Sequence, residues 1–151
     1  MWPPPLAMIS GVNVRTPWMT TGYVDDPDTT ARQFRDGWFR PGDMAAVTVE
    51  GVVRFLGRKD DMMSLNGINI FPAEIERVLD AHPAVKESAA FPVRSALFGD
   101  IPLAAVELRV PDGAVAADLL AYAREQLGVR APRKIAIVGT LPRNVSGKVL
   151  K

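Results

Sequence analysis

Lys148, in the segment Leu141-Pro-Arg-Asn-Val-Ser-Gly-Lys148, has the neighbours of a cation that is presented rather than packed. Gly147 admits backbone angles that other residues avoid, and Ser146 can hydrogen-bond locally to fix a turn. On its long stem, an ammonium group at such a loop can reach an anion that the surrounding domain does not hold. The plain alternative is a solvated tail lysine. A phosphate-loop reading fails, because Gly139 lies too far before Gly147 for G-x-x-x-x-G-K and Val149 stands where a hydroxyl would bind magnesium. Whatever Lys148 does, it does as a delivered charge.

Two further polar clusters precede it. Asp43 ends Trp38-Phe-Arg-Pro-Gly-Asp43, and a carboxylate after a tight turn can accept two hydrogen bonds from a diol. It can equally cap its own turn. Gly57-Arg58-Lys59-Asp60-Asp61 follows an apolar alternating run. Arg58 offers a planar fork of donors for a sugar hydroxyl, phosphate or carboxylate. Asp60 and Asp61 are not an acid/base pair, since neighbours in an extended chain point opposite ways. Charge of this kind reads either as solvated linker or as a hinge. His82, the only histidine, sits before Pro83 as a helix-end residue, and Glu74 and Glu76 suit the first turns of a helix. Trp18, Trp38 and Phe39 read as packing residues rather than a base-stacking platform.

Composition narrows the classes. A net charge of +1 gives no support for nucleic acid as a partner, and the absence of cysteine excludes disulfides, thiolate metal sites and thiol catalysis. No His cluster suggests a transition-metal site. No stretch approaches the roughly 20 apolar residues of a membrane helix. The start, Met1-Trp-Pro-Pro-Pro-Leu-Ala-Met-Ile-Ser10, lacks the basic leader of a signal peptide, and its prolines predict a loosely ordered segment over 1–10. The expectation is a cytoplasmic protein without a membrane span.

The elements that must position these residues follow from period and punctuation. Asp25-Asp-Pro-Asp28 starts a short helix that Asp36-Gly37 stops. Met44 to Leu56 alternates across Glu50-Gly51 as a hairpin, and Met62 to Ile70 makes a second, turning near Asn66-Gly67. Pro72 opens a helix through Asp80, with Ile75, Val78 and Leu79 as its stripe. Val85–Val93 and Ile101–Val110 read as strands, with Pro92 and Pro102 confined to ends or edges. Val115, Leu119, Leu120, Ala123 and Leu127 line one face of another helix closed by Gly128, and Arg133–Val138 is a last strand. The fold class is α+β: a small C-terminal mixed sheet with flanking helices, preceded by a β-rich segment. The division falls within the charged run, separating 11–59 from 60–151.

Taken in order, these clusters resemble the adenylate-forming (AMP-binding) superfamily, which includes acyl-CoA synthetases, peptide-synthetase adenylation domains and luciferases. The segments are Thr21-Gly-Tyr23 with Asp26-Pro27 and Thr30, then Asp36-Gly-Trp-Phe-Arg-Pro-Gly-Asp43, then Gly57-Arg-Lys-Asp-Asp-Met-Met63. Asn66-Gly-Ile-Asn-Ile-Phe-Pro-Ala-Glu-Ile-Glu76 follows, and Leu141-Pro-Arg-Asn-Val-Ser-Gly-Lys148 closes the series. The resemblance covers about 11–151, and the Asn-Ile-Phe-Pro-Ala-Glu-Ile-Glu form is most similar to acyl- and aryl-CoA synthetases, enzymes of the kind found in fatty acid metabolism.

The resemblance implies that 11–59 is the tail of a large AMP-binding domain and 60–151 the C-terminal domain. Asp43 would bind the ribose hydroxyls of ATP or the acyl-adenylate with help from Arg58. Asp60 would be the hinge, Gly67 would line the pantetheine channel of CoA, and Lys148 would serve adenylation. Pro41 departs from the Thr or Ser usual in Arg-x-Gly-Asp, removing a hydroxyl and stiffening the turn. The implied reaction joins a carboxylic acid to CoA with cleavage of ATP to AMP and pyrophosphate. Mg2+ is implied by the family, but no metal ligands are seen in this chain. The family's phosphate loop, adenine segment and acyl pocket precede the part present here, so the chain is expected to be inactive alone. It is then either a truncated remnant or a module completing a separate large-domain polypeptide in trans.

Overall fold

The computed structural model describes residues 6–151, which divide into two compact units, one running to Asp60 and the other Asp61–Lys151. In the first unit, β1 (Leu6–Gly11) pairs antiparallel with the strand that carries Asp43. The expected looseness of the first ten residues is thereby corrected from Leu6 onward, while residues 1–5 lie outside the described residues. Prolines remove donors only at their own positions, and the chain after Pro5 is free to enter a backbone ladder. Helix α1 (Pro27–Gln33) starts where Asp26 accepts the Thr29 N–H at 2.9 Å. It ends in a miniature hairpin, β2 (Phe34–Arg35) and β3 (Trp38–Phe39). Asp36 and Gly37 turn it at φ of 55° and 74°, the paired left-handed angles of a tight two-residue turn.

β4 (Asp43–Thr48) lies between β1 and β5 (Val53–Arg58), turning at Glu50-Gly51 as the alternation predicts. Ala45 and Ala46 are the buried apolar residues of this unit among those described, whereas Trp18 is 87% exposed and Val24 90%. Tyr23, Trp38, Val53 and Phe55 are exposed as well. Of the three aromatic residues read as packing residues, Trp18 and Trp38 are thus exposed, whereas Phe39 is half-buried and stacks on Phe34 with centroids 4.8 Å apart.

The second unit holds the larger core. β6 (Met63–Leu65) and β7 (Ile68–Ile70) form the hairpin expected at Asn66-Gly67, whose φ values are 48° and 78°. Helix α2 (Pro72–Asp80) begins at the proline and buries Ile75 and Leu79. β8 (Val85–Ser95) and β9 (Gly99–Leu108) run antiparallel over their whole length, and β10 (Lys134–Val138) adds parallel to β9. Helix α3 (Ala116–Leu127) packs against α2 and β10, with Leu119, Ala123 and Leu127 inward. Val115 belongs to its N-cap and stays exposed, one residue short of the helical face assigned to it.

Both helices thus contribute to one core with Ala90, Ala104, Val106 and Ile135 of the mixed sheet. Pro92 obeys its expected confinement, since β8 pairs with β9 alone. Pro102 does not, being inside β9. Its missing N–H is tolerated because β9's other flank passes there from β6, paired at Gly99, to β10, paired from Leu103. No helix of the described residues is long and apolar enough to cross a membrane.

Candidate functional site

Asp43 and Arg58, far apart in sequence, are direct cross-strand partners on β4 and β5. A register shift between Met44 and Ala45 lets the ladder end with these two side by side, Arg58 Nε lying 3.5 Å from Asp43 Oδ1. Gly42 precedes Asp43 at a φ of +83°, a left-handed angle that glycine adopts without strain. The Lys59 N–H donates to the Gly42 carbonyl at 2.7 Å and locks the two strand ends together. Arg58 orients the carboxylate, which retains acceptor capacity for a pair of hydroxyls. Asp60 is exposed, the last residue of its unit.

Gly67 and Lys148 both belong to the second unit. Gly67 is at the exposed tip of the β6–β7 hairpin, with open space around the position of a Cβ. That hairpin is fastened to the β8–β9 connection: the Asn66 N–H donates to Phe98 O at 3.1 Å, and the Ser64 N–H to Asp100 Oδ2 at 3.1 Å.

The Lys148 loop is closed on itself. Arg143 and Val149 form an isolated bridge, and the Leu150 N–H donates to Pro142 O at 2.8 Å. Asn144 Oδ1 accepts the N–H groups of Ser146 and Lys148 at 3.1 and 2.8 Å, and the Ser146 hydroxyl at 2.8 Å. Gly147 supplies a φ of +81°. The Lys148 side chain is exposed and makes no ion pair among the described residues, in contrast to Arg143 and Lys151, which pair with Glu87 and Glu76.

The loop's base is held by Glu107, a buried carboxylate that accepts the Leu141 N–H at 3.2 Å and pairs with Lys86. Sequence reading left Glu87, Glu107 and Asn144 without roles. Only Asn144 carried a local signal, an Asx side chain two residues before a Ser-Gly turn. The fold sets the two loops at opposite ends of one ladder. Glu87 opposes Glu107 where the Lys148 loop attaches, and Ser95 opposes Gly99 where the Gly67 hairpin attaches. From Gly99 to Glu107 the strand covers about 26 Å at ~3.3 Å per residue.

Hydrogen bonds from Lys86 and then from Leu141 hold the Glu107 carboxyl below its ordinary value of 4.5. A depressed folded-state value contributes stability that is present above pH 4.5 and lost as pH falls through the folded value. Asp80 works the other way: burial raises its carboxyl, aided by Glu76 and Glu87 and opposed by Ser88. Its charged form weakens the fold near neutrality, and protonation on acidification relieves that. Comparing wild type with Glu107→Gln separates the two. Urea midpoints at about pH 7 and about pH 3.5 should differ less in the variant, which has no carboxylate to protonate at this position. An unchanged difference would contradict the assignment.

Among the described residues, no group of three or more acidic, histidine or cysteine side chains converges to hold a metal. The Mg2+ implied by the family resemblance is therefore assigned to no cluster of the described residues.

Residues 74–148 match the family model of the AMP-binding enzyme C-terminal domain. Over 139 residues the chain is 37% identical to the 2-succinylbenzoate–CoA ligase of Geobacillus kaustophilus, covering 91% of this chain and 28% of that protein. It is 35% identical to a long-chain-fatty-acid–CoA ligase of Escherichia coli, covering 91% of this chain and 25% of the relative. Among solved structures, o-succinylbenzoate CoA synthetase (MenE) from Bacillus subtilis, in complex with the acyl-adenylate intermediate, superposes with a TM-score of 0.86 at 31% identity. That match covers 96% of this chain and 30% of MenE. ATP-bound MatB from Rhodopseudomonas palustris matches with a TM-score of 0.83 at 36% identity, covering 96% of this chain and 29% of MatB. The chain thus spans about 28% of the length of the G. kaustophilus ligase.

Proposed function

This chain belongs to the adenylate-forming, AMP-binding enzymes through its C-terminal domain, and from that premise we propose that it works as the C-terminal part of an ATP-dependent acyl-CoA synthetase. In that reaction a substrate carboxylate oxygen attacks the α-phosphorus of ATP and pyrophosphate leaves. The CoA sulfur then attacks the acyl carbon of the acyl-adenylate, and AMP leaves. Lys148 serves the first step by placing positive charge on the carboxylate and phosphate as negative charge develops there. Gly67 serves the second, its missing side chain leaving room for the pantetheine arm. Asp43, oriented by Arg58, takes the ribose hydroxyls, and Asp60 is the pivot between the two steps. Residues up to 59 would then be the tail of the large domain and 60–151 the swinging lid.

One observation carries this reading: Lys148 and Gly67 sit at opposite ends of the β8–β9 ladder. A rigid sheet of that length does not offer both loops to one reacting centre at once. It must turn between steps, and exposed Asp60 is a suitable place for the backbone to absorb that turn. The exposed Trp18, Val24 and Phe55 support a second feature, apolar surface on the first unit that a large-domain polypeptide covers, in cis or in trans. The acid is an acyl or aryl carboxylate, as in the named relatives.

The test joins the chain to the large-domain portion of the G. kaustophilus ligase, as a fusion or as a mixture. ATP, CoA and a panel of aryl, short-chain and long-chain acids are supplied and pyrophosphate is followed. Release is expected with the large domain and not without it. Turnover by the chain alone would overturn the division of labour. No turnover in either format, where the relative's own C-terminal part restores it, would overturn the whole reading.

A further inference from the structure

The hydrogen bonds inside the Lys148 loop determine its shape but not its place. Asn144 Oδ1 gathers the Ser146 and Lys148 amides, and Leu150 returns to Pro142, all within the loop itself. Three carboxylates of the domain body attach it elsewhere. Glu107 of β9 takes the Leu141 amide, Glu76 of α2 takes the Lys151 ammonium, and Glu87 of β8 takes Arg143.

Arg143 differs from the other two attachments. One arm of its guanidinium pairs with Glu87, and the other donates at 2.9 Å to the carbonyl of Gly147, the residue before Lys148. It therefore links the sheet to the peptide group that carries the unpaired lysine. A planar fork with two fixed donor directions suits such a bridge, because both contacts are satisfied by one orientation. Without it, a loop with a left-handed glycine beside the lysine would sample many positions, and the ammonium would have to be ordered anew at each turnover.

We propose that Glu87 and Arg143 are positioning residues for Lys148, forming one tether that presents its ammonium group from the end of the sheet. The catalytic purpose of the tether rests on the reading of Lys148 given above, and its existence does not.

Amide hydrogen exchange on the chain itself, resolved by residue, provides the first arm. Arg143→Gln and Glu87→Gln should each speed exchange at Gly147 and Lys148 by about tenfold, while the core amides of Val106 and Leu119 keep their protection. Both changes cut the same link, so the double variant should gain no more than the stronger single one. Glu87→Asp, which keeps the charge, should recover part of the protection. The second arm carries the same variants into the pyrophosphate assay with the large domain. There kcat for adenylation should fall about tenfold with KM for ATP held, and transfer from preformed acyl-adenylate to CoA should be unaffected.

Unchanged exchange, additive effects, or equal loosening of the core would overturn the tether. Faster loop exchange with undiminished adenylation, in an enzyme that Lys148→Ala disables, would overturn its positioning role. Adenylation indifferent to Lys148→Ala would instead overturn the assignment of Lys148, leaving the exchange result to decide the tether alone.

Discussion

Lys148→Ala is expected to slow acyl-adenylate formation by about two to three orders of magnitude, the loss seen when one preorganised charge or donor is removed from a site of developing charge. The effect should fall on kcat, read as ATP–pyrophosphate exchange in the enzyme reconstituted with its large domain. Transfer from preformed acyl-adenylate to CoA should stay within about twofold, because the proposed division of roles gives that step to the Gly67 end of the sheet. Folding should be untouched, since the Lys148 side chain is exposed and makes no ion pair among the described residues. Equal loss in both half-reactions would reject the division of roles between the two loops.

Gly99→Ala should have the second large effect, on the opposite end of the ladder. Gly99 has a φ of +78°, and a Cβ there would meet the Ser64 carbonyl oxygen at 2.4 Å, a backbone atom unable to rotate away. The left-handed angle alone costs about 1–2 kcal/mol for a residue with a Cβ. The collision adds to this, because it can be relieved only by moving β6 from β9 where Leu65 pairs with Gly99. A total loss of about 2–4 kcal/mol in unfolding free energy is expected from denaturant titration. The displaced hairpin carries Gly67, so thioester formation should suffer more than adenylation in whatever fraction remains folded. A variant as stable as wild type, with both half-reactions intact, would show that this close approach is not needed.

Short-range features of the fold were legible without coordinates. Asn66-Gly67 announces a tight turn because few residues other than Gly, Asn and Asp accept paired left-handed angles. Asp36-Gly37, read as a helix stop, instead turns the β2–β3 hairpin after a helix that ends at Gln33. Pro72 announces a helix start because its missing donor is harmless in the first turn. The α3 face emerges from the spacing of Leu119, Ala123 and Leu127. The candidate residues Asp43, Arg58, Asp60, Gly67 and Lys148 stand out in sequence only as members of motifs, each in a segment whose neighbours shape it locally.

Long-range pairing was not legible. The prolines near the start concealed β1, whose partner lies more than thirty residues onward in β4. Pro102 argues against a strand interior by its missing donor, and only the handover between β6 and β10 explains its place. Charge identity was visible throughout, but the partner of each charge depends on register. Arg143 could have met any carboxylate until the β8–β9 ladder put Glu87 beside it.

By itself, the amino-acid order determined most of the elements of the second unit, the α+β class and the family, because these follow from periodicity, turn chemistry and contiguous motifs. The tertiary structure decided that Asp43 touches Arg58, that Glu87 and Glu107 secure the lysine loop, and that Gly67 and Lys148 stand at opposite ends of one sheet. The reason is physical. Turn and helix preferences act over a few residues, whereas strand register is settled by burying the whole core at once.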